Sequence, residues 1–232
     1  MPEPVRVNIL KLTVQTAVMM IVIALALFIP AGTVAWPAGW IFLVLMFFLS
    51  VAESVWLIRF NPALMNERMT GLGRKDQEKW DKILMSFVAA AFFGWFVLMA
   101  FDAVRFRWSH VPPWVQVLGG LVFLVSFRLV HAAFRENSFL SPAVRIQADR
   151  AQTVVRTGAY ARVRHPLYAA FGLFVVGAAL LLGSWWGVAG AFVLIVLVAI
   201  RAVGEERLLR ERLPGYADYM SEVRYRFVPG VW

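Results

Sequence analysis

Six long apolar stretches constrain this chain more than any other feature. They lie at residues 12–30, 39–58, 83–101, 114–134, 167–182 and 185–200. The first four have about 19 to 21 residues each, and at ~1.5 Å per helical residue that length spans a hydrocarbon core of ~30 Å. The last two have about 16 residues each and are joined by Gly183-Ser184, a turn signal. They predict a tight helical hairpin that barely crosses, with polar flanks drawn toward the membrane. The first stretch is long for a signal-peptide core and is read as an anchor. The expected fold class is therefore all-α, a polytopic membrane helical bundle of about six transmembrane helices.

Composition agrees. Hydrophobic residues make up 61% of the 232 and charged residues 16%, against ~45–50% and ~25% in soluble domains. No linker, low-complexity segment or internal repeat divides the chain, so residues 1–232 read as one domain. The absence of cysteine excludes disulfides, thiolate metal sites and a cysteine nucleophile. The three histidines are not spaced i,i+3 or i,i+4, so no metal is expected.

The net charge of +9 is distributed by topology. Twenty Lys and Arg fall before the first stretch, in the 59–82 and 135–165 loops, and in the tail from Arg201; Arg105 and Arg107 alone lie on the opposite side. That asymmetry predicts six crossings with both termini in the cytoplasm, as in a bacterial inner membrane. Anionic membrane lipids are expected partners, and nucleic acid is not, because the basic residues form no single stripe.

Three ionisable residues fall within the apolar stretches: Glu53, Arg128 and His131. Glu53 and Arg128 could form a buried pair, or Arg128 could snorkel, or the group could line a cavity. A denser set sits at the cytoplasmic boundary. Arg164, His165 and Tyr168 surround Pro166, which fits the first turn of the fifth apolar helix. Helix N-termini attract anions, and these three side chains supply donors. Across the hairpin, Arg201 and Glu205 share a helical face at i,i+4. They read either as an interfacial ion pair or as a cationic corner beside a carboxylate.

The order of these residues carries a resemblance. The chain reads Ala151-Gln152-Thr153-Val154-Val155-Arg156-Thr157-Gly158-Ala159-Tyr160, then Arg164-His165-Pro166-Leu167-Tyr168. After the hairpin come Arg201-Ala202-Val203-Gly204-Glu205-Glu206, Pro214-Gly215-Tyr216-Ala217-Asp218-Tyr219 and the tail Arg226-Phe227-Val228-Pro229. From residue 137 onward this resembles the isoprenylcysteine carboxyl methyltransferase family and its bacterial relatives, including phospholipid N-methyltransferases. The family's loop histidine is Gln152 here, and its glycines at two further places are Ala151 and Ala170.

The resemblance implies a membrane methyltransferase using S-adenosyl-L-methionine on a lipid-like or hydrophobic acceptor. Residues 1–136 would be N-terminal helices and 137–232 the cofactor-binding and catalytic core. It further implies cofactor contacts from Gln152, Val154, Val155, Gly158, Tyr160, Arg164, His165, Tyr168 and Glu206, with Arg201 and Glu205 nearest the acceptor. Arg201 would orient a carboxylate acceptor, whereas Glu205 would take the proton of an amine; O-, N- and S-methylation all stay open. Two other readings remain: a sterol-reductase-like enzyme using NADPH, and a transporter built around Glu53, Arg128 and His131.

Overall fold

The computed structural model describes residues 6–71 and 74–232. Eight α-helices follow in order: α1 Ile9–Ala31, α2 Pro37–Phe60, α3 Pro62–Met69, α4 Lys79–Ala100, α5 Pro113–Glu136, α6 Pro166–Leu182, α7 Trp185–Arg212 and α8 Tyr216–Glu222. No strand occurs among the described residues. Five helices are long and apolar enough to cross a membrane, and α6 is a shorter apolar one.

Local chemistry sets the helix ends. Pro37, Pro62, Pro113 and Pro166 each open a helix, where the missing N–H costs nothing. Asn8 and Ser184 cap α1 and α7 by accepting from the N–H of Lys11 and Gly187. Gly183, at φ +82°, closes α6, so the α6–α7 turn is as short as the sequence indicates. With 17 residues α6 is about 26 Å long, whereas α7 runs 28 residues and carries Arg201 to Arg212 past the hairpin partner.

Apolar side chains pointing outward, such as Leu10, Phe48, Leu121 and Phe192, suit a lipid solvent. In lipid the hydrophobic effect does not hold helices together, so close packing must. The α5–α6 seam does this with glycine. A Cβ on Gly177 would stand 2.6 Å from the Phe123 backbone N, and one on Gly119 would stand 2.5 Å from Leu181 N. Around that seam Phe42, Phe96 and Phe123 form a fully buried aromatic core.

The two ends of the bundle differ. At one end α4 unwinds into a π-turn, Phe101–Arg105, and Asp102 Oδ2 accepts from Ser109 Oγ, Ser184 Oγ and the N–H of Trp186. That carboxylate pins the end of α4 to the α6–α7 turn. The other end gathers α3, the 137–165 loops, α8 and the tail.

Glu53 and Arg128 do not pair. His131 Nδ1 lies 3.2 Å from the Glu53 carboxylate with Trp56 against the ring, while Arg128 is exposed on the outside of the bundle. Three residues turn a helix by about 300°, leaving the two side chains about 60° apart. That is enough to put His131 in the α2–α5 seam and Arg128 outside it.

Candidate active site

A cavity of about 520 Å³ opens at the loop-rich end and runs up between α2, α4, α5 and α6. Its inner half is apolar, walled by Met46, Met85, Phe92, Phe127 and Phe174. Its outer half is polar, and there Gln152, Val154, Val155, Tyr160, Arg164, His165, Tyr168, Arg201 and Glu205 all reach the wall. Gly158 and Glu206 do not. Gly158, at φ +58°, starts the 3-10 turn that presents Tyr160, and a Cβ there would strike Glu136.

Glu206 lies beneath the wall as a bolt. Its Oε1 accepts from Arg164 Nε at 2.6 Å and contacts His165 Nε2 at 3.1 Å, and its Oε2 accepts from Arg226 Nε at 2.8 Å. Arg164 Nη1 donates onward to the carbonyls of Val223 and Arg224. The N–H groups of Arg164 and His165 donate to the carbonyls of Tyr225 and Arg226. The Arg164-His165 pair thus fixes the C-terminal tail against the mouth of the cavity. Phe227 closes on the edges of His165 and Tyr168, whose rings stack at 5.2 Å.

Arg201 and Glu205 do not pair with each other. Arg201 instead clamps Asp81 of α4, with Nε to Oδ1 at 2.8 Å and Nη2 to Oδ2 at 3.3 Å. Its Nη2 also donates to the Pro142 carbonyl, and its Nη1 donates to Tyr168 Oη at 2.7 Å. Tyr168 then donates to Glu205 Oε2 at 2.6 Å. The result is a chain of bonds, Asp81 to Arg201 to Tyr168 to Glu205. Asp81 is fully buried and also accepts from the Val144 N–H and from Gln77 Nε2. A buried ion pair is tolerable only when its remaining lone pairs and protons are satisfied, as they are here.

Sequence reasoning missed Asp81. It stands in a loop-flanking stretch among Lys79, Trp80 and Lys82, 120 positions from its partner, and nothing local marks it as buried. It also missed Glu67, which is buried on α3 beside the cavity-lining Arg145. There Glu67 accepts from Arg145 Nε and Nη2 and from Ser141 Oγ, tying α3 to the loop that carries Val144. Burial alone would raise its pKa, but these donors hold it below the ordinary carboxylate range.

Glu205 is the one carboxylate among the described residues lining the cavity. Its Oε2 is held by Tyr168, and its Oε1 meets no donor among the described residues. In the loop wall, the buried Tyr160 hydroxyl has Asn137 as its polar neighbour, while Tyr219 Oη donates to the Tyr160 carbonyl. Burial pushes the Tyr160 phenol above its ordinary value and keeps it a neutral donor. Among the described residues no cluster of His, Asp and Glu has metal-holding geometry.

The chain was also compared with known proteins. Residues 114–214 match the phospholipid methyltransferase family, within the group of membrane methyltransferases that the Arg-His-Pro-x-Tyr and Glu-Glu motifs resemble. No curated protein matches the chain. The matched segment holds α5 to α7 and the motif residues from Gln152 to Glu206, and it leaves Asp81, Glu67 and the tail outside.

Proposed function

We propose, taking the match at residues 114–214 as premise, that the protein transfers a methyl group from S-adenosylmethionine to an amine carried by a membrane lipid. One observation carries the choice of an amine: Glu205 is the acidic group facing the cavity, whereas Arg201 spends its donors on Asp81, Pro142 and Tyr168. The resemblance would assign a carboxylate acceptor to that arginine. An amine needs Glu205.

The polar half of the cavity fits the cofactor. The whole cavity, near 520 Å³, lies in the range of small-molecule sites. Val154 and Val155 offer an apolar slot for adenine. The N-terminus of α6, with its positive dipole end, suits the carboxylate. Gln152 Oε1 accepts from the Gln147 N–H, so this side chain shapes the loop more than it reaches the ligand.

When bound, the cofactor would supply a sulfonium-activated methyl for the acceptor nitrogen, with a neutral thioether as its leaving group. The chain does the rest. Glu205 takes the ammonium proton and exposes the nitrogen lone pair. Tyr168 holds Glu205 in place, and Arg201, anchored on Asp81, holds Tyr168. The aromatic wall admits acyl chains laterally and excludes water, so catalysis rests on positioning and desolvation. The basic loop-rich end would face the cytoplasm, the side on which the cofactor is made.

The test uses purified protein, methyl-labelled S-adenosylmethionine and a membrane lipid extract. Label is expected in a lipid with an amine headgroup. Protection of the protein by a nicotinamide dinucleotide and not by S-adenosylmethionine would return the reductase reading.

A further inference from the structure

Three arginines are buried at the loop-rich end, and each meets a carboxylate: Arg145 with Glu67, Arg164 with Glu206, Arg201 with Asp81. Arg68, on α3, reaches the same cavity and meets none among the described residues. Its Nη1 donates to the Leu140 carbonyl at 3.2 Å, and the guanidinium lies 4.6 Å from the centre of the Phe134 ring. One of five N–H donors is thus used, and the stacking holds the plane in place. Burial, and then the charge of Arg201, lower the guanidinium to about 10, so it stays cationic at neutral pH.

A half-buried cation without a counter-ion is costly unless something supplies one. The adjacent Glu67 could do so in principle, but it turns to Arg145 and Arg74. Arg68 therefore faces the cavity as a fixed fork, at the level where the polar half meets the wall of Val130 and Phe134. Fork geometry suits phosphate and carboxylate oxygens.

We infer that Arg68 is a specificity residue that holds the anionic group of the acceptor's headgroup, the phosphate that a phospholipid acceptor would bring. This rests on the reading of the cavity as a lipid amine methyltransferase site. Glu205 would take the amine and Arg68 the phosphate, fixing the headgroup at two points while the acyl chains lie in the aromatic half. Arg68 lies outside the segment that matches the family, so acceptor choice would be set by the N-terminal half of the chain.

The anion could also be the cofactor's own carboxylate, and the experiment separates the two. The probe is dioctanoyl phosphatidic acid, which has the phosphate but no amine to methylate, with dioctanoylglycerol as the uncharged control. Binding to the full chain in detergent is followed by tryptophan fluorescence, with S-adenosylmethionine affinity measured in parallel. The wild type should bind the phosphatidic acid at least tenfold more tightly than the diacylglycerol. Arg68→Gln should remove roughly that tenfold, the size of one charge-assisted bond, and leave cofactor affinity within twofold. Arg68→Lys, which keeps the charge but not the fork, should fall between them. Equal binding of the two lipids by the wild type would overturn the proposal without any variant. So would a loss of cofactor affinity in Arg68→Gln with lipid discrimination intact, which would assign the residue to the cofactor carboxylate. Arg68-dependent binding without methyl transfer to any lipid would instead sink the methyltransferase reading and leave the anion site standing.

Discussion

Replacing Asp81 with Asn tests whether Arg201 is a placed scaffold or a free reagent. The change removes one charge from a fully buried site and leaves Arg201, itself 6% exposed, without its counter-ion. Two bonds from Arg201, one from the Val144 N–H and one from Gln77 Nε2 converge on that carboxylate. An asparagine can keep one acceptor there and turns its amide donors toward other donors. Breaking a buried pair from one side costs about 3–5 kcal/mol. For a chain of this size each kcal/mol moves the melting point by roughly 2–4 °C, so the drop should be on the order of 10 °C in detergent. Turnover should fall more than tenfold, because Tyr168 loses the fixed donor that sets Glu205, while cofactor affinity stays within about threefold. The double variant Asp81→Asn/Arg201→Met removes both charges. It should recover part of the lost melting temperature and none of the turnover, a coupling of at least ~1 kcal/mol. Wild-type melting and turnover in Asp81→Asn would refute the anchored-arginine reasoning, and a double variant as unstable as the sum of the singles would refute the pairing.

Glu205→Gln should cut turnover by about 100-fold, the usual worth of a proton-accepting group, with cofactor affinity unchanged in a filter-binding assay. Gly177→Ala puts a Cβ 2.6 Å from the Phe123 backbone N and 2.9 Å from the Gly119 carbonyl; it should force α5 and α6 apart and cost about 1–3 kcal/mol in a detergent melt. Glu67 has its carboxyl pKa lowered by Arg145 and Ser141 despite burial, with Arg74 and Arg145 as its facing charges. A depressed folded pKa gives stability that is complete above the unfolded value of about 4.5 and lost as the pH falls through the lower folded one. The stability gap between wild type and Glu67→Gln, read from melts between about pH 3.5 and 7, should therefore shrink toward the acid end. Expressed alone, residues 137–232 should fail to fold, and co-expression with residues 1–136 should rescue them; a stable, cofactor-binding C-terminal fragment would show that the core is separable.

Much of the bundle is legible because its punctuation is local. Pro37, Pro113 and Pro166 mark helix starts, and Gly183-Ser184 marks the turn between α6 and α7. The short helices α3 and α8 escape for the opposite reason. Their sequences are polar enough to pass for loop, and tertiary burial of Leu64, Met65, Tyr216 and Tyr219 decides their form. The π-turn after Ala100 escapes too, since it exists to bring Asp102 against Ser184 and Trp186, more than 80 positions away. In the site, Arg164, His165, Tyr168, Arg201 and Glu205 are legible because they flank a hairpin whose two arms must return to one end. Which charge meets which is not. The i,i+4 spacing of Arg201 and Glu205 suggests an ion pair, yet Tyr168 stands between them and Asp81 takes the arginine.

The division of labour between the two glutamates follows from where α7 leaves the hairpin. Because α6 is only 17 residues long, its N-terminal motif sits beside Arg201 to Glu206, before the last turns of α7. Successive residues on α7 then point about 100° apart. Glu205 turns into the cavity, and Glu206 turns behind it onto Arg164, His165 and Arg226. On the proposed mechanism, a carboxylate that must exchange a proton could not also be tied by two arginines and a histidine, and one that bolts the tail could not be left half-exposed in the cavity. Adjacent positions on one helix satisfy both needs, provided that Tyr168 supplies Glu205 with a single neutral hydrogen bond and that Arg201 is kept off it by Asp81. The residue that makes this arrangement possible lies on α4, so on the proposed reading the loop-rich end of the molecule depends on its N-terminal helices.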